Sequence, residues 1–269
     1  MPAWASFLAV SVLTVGTVLV LARRSEDVID QHAPAGQGNA AVPATASGLS
    51  VQTNSVDNTA VRRPPTQAVD DTTEIVLTSR LLLVNAIVTQ GAVALVIALS
   101  AWYFEIPGDA IGITVEVGAV AVGVAFGAVL WVANELSTRV ADAVGASYDE
   151  RVRHLLAPDA AGGWVVLLTV ALPLIAVSEE LLFRAALVGV PAAGLGLNAW
   201  ALAGVSSLAF ALGHGAQGRV GVVVTGTLGF VLAAGYVLTG SLLVVVVAHY
   251  VLNAVEFLVH EFLGVDALG

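Results

Sequence analysis

The sequence predicts an all-α fold, a polytopic membrane helix bundle of about seven transmembrane helices with its N-terminus outside and its C-terminus inside. Three observations carry this. Hydrophobic residues make up 58% of the chain, charged residues only 11%, and mean hydropathy is +0.91, whereas a soluble domain is about a quarter charged. Apolar stretches of about 20 residues, the length that crosses a bilayer, recur along the chain. The arginines collect in alternate connections, as the cytoplasmic excess of basic residues requires.

Residues 1–24 form the first element. Trp4 to Ala22 is apolar and Arg23-Arg24 follows. A cleaved signal would carry its positive charge before the apolar stretch, so a spanning helix is the better reading. Residues 25–73 are rich in Ala, Thr, Ser, Asn, Gln, Gly and Pro, with scattered acids and no apolar period. This composition predicts a disordered polar cytoplasmic linker. The remaining span-forming domain covers 74–269. Within it, Ile75–Phe104 is a span ended by Glu105-Ile-Pro-Gly, and Ile111–Leu136 is the next. The pair Gly123 and Gly127 sets a GxxxG seam for close helix approach. Asp149–Leu156 reads as a short amphipathic helix at the interface. Trp164–Val190 follows and is expected to break at Pro191. Leu197–Gly213, Val220–Leu238 and Ser241–Leu263 complete the set.

With the N-terminus outside, Arg23, Arg24, Arg62, Arg63, Arg80, Arg139, Arg151, Arg153 and Arg219 all lie on the cytoplasmic side, and only Arg184 falls inside a helix. All ten basic residues are arginine, the net charge is −10 and the pI about 4.7. The acidic balance excludes nucleic acid as a partner. It suits a high-salt cytoplasm, which points to the plasma membrane of a halophilic prokaryote. Cysteine is absent, so a metal could be held only by His and carboxylates.

Ionisable groups within spans are costly, about 2.5–3.5 kcal/mol each at the bilayer centre on insertion scales, and mark function by default. Glu179, Glu180 and Arg184 lie together in one span. Glu180 and Arg184 are an i,i+4 pair with the acid on the favourable N-terminal side. Glu179 points about 100° away from Glu180 and is left for chemistry. His214 closes the next span, one turn after Phe210 and between Gly213 and Gly215. His249, Asn253 and Glu256 share one stripe of the last span. Two acids, two histidines and an asparagine on three helices form a hydrolytic set: a glutamate as general base, a histidine as metal ligand or proton carrier, an asparagine as oxyanion donor. A transport site at the bilayer midplane would use similar groups.

The motifs Glu179-Glu180-x-x-x-Arg184, Phe210-x-x-x-His214 and His249-x-x-x-Asn253, in this order on three hydrophobic segments, resemble the CPBP intramembrane protease family. That group includes the CAAX prenyl proteases (Ras-converting endopeptidases) and the bacteriocin-processing or Abi proteins. The resemblance covers about residues 75–264. It implies an intramembrane endopeptidase acting on a membrane-associated peptide or protein tail, in one branch a lipidated one, within the lipid bilayer. By resemblance Glu179 is the catalytic glutamate, activating water together with His214, and His249 and Asn253 stabilise the oxyanion. Glu180 and Arg184 match positions of structural role. The family is usually described as metal-dependent, and Glu179, His214 and His249 are then the candidate ligands of a divalent ion, zinc first. A metal-free glutamate mechanism uses the same residues. Glu256 lies outside the family motifs and is read as a group that orients His249. An inactive membrane scaffold and a transporter with midplane carboxylates are the alternatives.

The orientation has a direct test. A single cysteine introduced as Ala40→Cys is expected to resist impermeant thiol reagents added to intact cells and to react once the membrane is opened. Strong labelling from outside would invert the topology.

Overall fold

The computed structural model describes residues 1–32, 78–114, 116–146 and 150–265. Among these residues every regular element is a helix. Helix α1 spans Trp4–His32, α2 Ser79–Tyr103 and α4 Ala119–Ala143, with the single turn α3, Gly108–Ile111, between the last two. Helix α5 is the short Arg151–Leu156. Helix α6 runs from Ala161 to Leu195. Helix α7 is Ala199–Leu212, α8 is Gly218–Thr239, and α9 runs from Leu242 to Phe262. Six of these are long and apolar enough to cross a membrane; α7, at 14 residues, is the shorter seventh. At 1.5 Å per residue, α7 is only about 21 Å long.

The ends of the helices sort into two layers. In one, Ala3 N–H donates to the Phe104 carbonyl at 3.0 Å and Leu242 N–H donates to Gly112 O at 2.9 Å. A Cβ on Gly194 would overlap the Trp4 ring, so the start of α1 meets the end of α6 there. In the other layer Glu26, near the far end of α1, lies beside Gly215, and Arg153 pairs with Glu261 at the end of α9. Successive helices therefore alternate in direction through the bundle.

Several element boundaries differ from the sequence expectation. Helix α1 continues past Arg24 to His32, because no breaker occurs before Pro34 and Gly36. The rest of the expected linker, 33–73, lies outside the described residues. The span expected to begin at Ile111 begins at Ala119. Gly112, at φ 79°, turns the chain and accepts a bond from Leu242, which separates α3 from α4. Pro191 does not break α6. The residues before it, Leu181–Gly189, form wide π turns with i→i+5 bonding, and Pro191 falls in the first turn of the α segment Val190–Leu195 that follows. A proline there need not donate. The helix ends instead at Gly196, in the left-handed region at φ 66°.

The GxxxG expectation is met on α4. A Cβ on Gly123 would lie 2.7 Å from Val247 Cβ, and one on Gly127 would lie 2.5 Å from the Ala248 carbonyl oxygen. These glycines let α9 approach α4 to backbone contact. The residues they touch flank His249, so the seam sets where that histidine sits. Replacing Gly127 by alanine is expected to lower stability by about 1–3 kcal/mol, the usual cost of overpacking. Gly16→Ala is the control, since its Cβ meets nothing within 4 Å. Thermal unfolding in detergent should separate the two; equal melting temperatures would mean the seam is slack.

Candidate active site

The site is built where α6 crosses α9 and α2. Glu180 is fully buried and Arg184 is 1% exposed. Their i,i+4 spacing closes as an ion pair, Arg184 Nη1 to Glu180 Oε1 at 2.9 Å. Arg184 also donates from Nη2 to the Gly229 carbonyl on α8 at 3.0 Å, and its guanidinium lies 4.6 Å above the Phe210 ring on α7. Gly229 is required here, because a Cβ would stand 2.9 Å from Phe210 Cδ1. Phe210 touches Phe183 edge-on at 5.1 Å between ring centroids and His214 at 4.5 Å. One arginine thus gathers three helices about itself.

His249 completes the arrangement from α9. Its Nδ1 lies 2.7 Å from Glu180 Oε1. A carboxylate paired with arginine accepts, so Nδ1 carries the proton and donates. This turns Nε2 toward Glu179, 3.7 Å from Oε2. The role of Glu180 read from helix geometry is therefore enlarged: it holds Arg184 and orients His249 at once. Glu180 Oε2 and Arg184 Nε have no hydrogen-bond partner among the described residues.

Glu179 faces the other way, into a cavity of about 260 Å³ lined by Glu179, His214, Gln90, Asn85, Thr89 and Ser178, with apolar residues of α1 and α6 closing the sides. His214 Nδ1 donates to the Phe210 carbonyl in the last turn of α7, 2.8 Å away, and Nε2 has no hydrogen-bond partner among the described residues. The structure brings Glu179 and His214 to one cavity. It places His249 behind Glu179, outside the cavity lining. Asn253, half-buried one turn further along α9, makes no side-chain hydrogen bond among the described residues and is not a lining residue either.

Glu256 does not orient His249. Seven residues separate them, about 10 Å along a helix, and Glu256 is taken up elsewhere. It accepts from Asn134 Nδ2 at 3.4 Å and from Arg153, within a polar cluster that also holds Glu135, His260, Glu150 and Glu261. Burial opposes the charge on Arg153, yet the surrounding carboxylates hold its pKa above the ordinary value. The cluster fastens α5 to the ends of α4 and α9.

The expected metal ligands have suitable donor chemistry, since each histidine has its Nδ1 engaged and its Nε2 free. Their geometry does not fit. Among the described residues the three groups whose ligand atoms lie within 4.8 Å of one another are Glu135, Glu256 and His260, not Glu179, His214 and His249. The sequence reading missed Gln90, whose Nε2 donates to Glu179 Oε1 at 3.2 Å. A polar side chain in an apolar span was the available signal.

Glu180→Gln is expected to destabilise the protein by about 3–5 kcal/mol, because it leaves the Arg184 charge buried without its partner. Glu180→Gln with Arg184→Met should recover part of the loss. Denaturation in detergent checks this; a Glu180→Gln protein as stable as the parent would show that the pair carries no structural role.

Among curated proteins and among solved structures nothing matches the chain. One family model does, that of Type II CAAX prenyl endopeptidase Rce1-like, over residues 161–255. The matched stretch begins at α6 and ends just after Asn253, so it contains all three motifs. The match covers about a third of the chain, and over that stretch the chain is similar to the Rce1-like type II CAAX prenyl endopeptidases.

Proposed function

We propose that the chain is an intramembrane endopeptidase in which Glu179 is the general base. The observation that supports this is the division of labour between adjacent carboxylates: Glu180 is paired with Arg184 and accepts a hydrogen bond from His249, while Glu179 lines the cavity with His214. Glu179 takes a proton from a water held in the cavity, and the hydroxide attacks the scissile carbonyl. The proton then passes to the leaving amine as the C–N bond breaks. His214, with Nδ1 tied to the Phe210 carbonyl, presents the unbonded Nε2 to water or the leaving group. His249, with Nε2 3.7 Å from Glu179 Oε2, and Asn253, one turn further along α9, supply the oxyanion donors.

The substrate is a peptide or protein tail at the membrane. A cavity of about 260 Å³ is smaller than the ~300–1,000 Å³ of ordinary ligand pockets. It admits a short extended stretch of chain with its water, not a folded domain. The cavity lies toward the layer that carries Arg23, Arg80 and Arg219, which under the N-out orientation opens it to the cytoplasm of a prokaryotic cell. The substrate class of this reading takes in lipidated, CAAX-type tails and unlipidated membrane peptides.

The test is proteolysis of a membrane-peptide library by the purified chain and by Glu179→Gln. Wild type is expected to cut, and Glu179→Gln to lose turnover by at least about 10²-fold, the lower end of what a positioned base contributes, with an unchanged melting temperature. Cleavage that persists undiminished in Glu179→Gln would remove Glu179 from the reaction.

A further inference from the structure

We propose that Gln90, together with Ser178, is the positioning unit for the Glu179 carboxylate, and that this unit holds Glu179 in both of its protonation states. The inference rests on the base role given to Glu179 above. Gln90 lies near the middle of α2, outside the residues 161–255 that match the family. Its amide stands between two side chains that are neighbours on α6. Ser178 Oγ–H donates to Gln90 Oε1, and Gln90 Nε2–H donates to Glu179 Oε1 at 3.2 Å. Ser178 is fully buried. An ionised carboxylate can only accept, so it must face the amide N–H, and the amide oxygen must then face Ser178. One hydroxyl fixes the amide, and the amide fixes the carboxylate.

The same three groups accommodate the proton that Glu179 gains. Ser178 Oγ has a second acceptor in reach, the Ile175 carbonyl at 3.0 Å. When water has given its proton to Glu179, the carboxylic acid becomes a donor. If the Gln90 amide then turns over, its oxygen accepts from the Glu179 O–H and its N–H donates to Ser178 Oγ. The Ser178 hydrogen passes to Ile175 O by rotation about the Cβ–Oγ bond. Every donor has an acceptor before and after the transfer, and no proton enters or leaves the set except the one taken from water. A half-buried carboxyl that changes charge during each turnover otherwise loses a partner in one of its two states, which is costly at low polarity.

The experiment uses the full chain in detergent. Gln90→Met keeps the side-chain length and removes the amide; Gln90→Leu is a second apolar replacement should the first fold poorly. On a peptide that wild type cleaves, Gln90→Met is expected to lower kcat about ten- to a hundredfold, the scale for losing a group that orients a reacting one. KM and melting temperature should stay unchanged. Ser178→Ala should lose less, Ser178→Thr should restore what it loses, and Ser178→Ala with Gln90→Met should be no worse than Gln90→Met alone. An unchanged kcat in both Gln90 variants, or losses that multiply in the double variant, would overturn the proposal. A readout independent of turnover separates it from the endopeptidase reading. The infrared carboxyl band assigned to Glu179, by difference against Glu179→Gln, should move in Gln90→Met even if no peptide is ever cut. A band that stays in place would overturn the positioning role while leaving the base role standing.

Discussion

The structure depends on a single buried carboxylate oxygen. Glu180 Oε1 accepts from Arg184 on its own helix and from His249 on α9. An arginine within an apolar bundle cannot be left uncompensated, since breaking such a pair costs about 3–5 kcal/mol. Its remaining contacts follow from that need. The guanidinium reaches α8 through Gly229 O and α7 through the Phe210 face. Bilayer lipid offers helices no hydrophobic drive toward one another, so polar contacts and close packing must define the arrangement. This one node selects which faces of α6, α7, α8 and α9 turn inward.

The node also explains how adjacent glutamates carry different roles. Two carboxylates in sequence would ordinarily compete for one cation. Here the helical turn between neighbours sends Glu180 into the bundle and Glu179 toward α2. Arg184 offsets the charge of Glu180, and His249 adds a hydrogen bond to it. Among the described residues Glu179 receives only a neutral donor, Gln90, and has a histidine nitrogen at 3.7 Å. The base role proposed for Glu179 calls for this asymmetry, because a carboxylate held in a tight ion pair is a poor proton acceptor. The π turns of Leu181–Gly189 begin directly after the pair. Turns of this kind recur where function disturbs a helix, and here they lead the chain from the site into Pro191.

What could be read from the sequence was the part written along single helices. The apolar lengths gave the spans, the i,i+4 spacing gave the Glu180–Arg184 pair, and the paired glycines gave a close-approach face on α4 without its partner. Contacts between helices were not legible in the same way. Nothing in the periodicity of α2 says that Gln90 meets Ser178, because that requires the rotation of α2 relative to α6. Glu256 shares a stripe with His249, and the stripe suggested contact. At seven residues the two lie on one face yet too far apart along the axis, and Asn134 and Arg153 claimed Glu256 instead. Pro191 is not a break because the π turns before it are not written in any residue spacing and leave the proline in the first turn of an α segment. The motif residues themselves were legible, although His249 stands behind Glu179 and not beside His214 within the cavity.

Polar groups in this bundle form two tiers, and α9 is fastened at both. At the inner tier His249 is bound to Glu180; near the helix end Glu256, His260 and Glu261 are bound to Asn134, Glu135 and Arg153. Asn253 lies between these anchors, and its own side chain has no hydrogen-bond partner among the described residues. For the oxyanion role proposed for it this is a favourable combination. A donor already bonded in the resting protein would have to break that bond before serving the substrate. A donor on a loosely held helix would have to be ordered during the reaction. Asn253 needs neither, since its backbone is held from both sides by contacts made elsewhere, and stabilisation of developing charge is strongest when the donor is placed in advance.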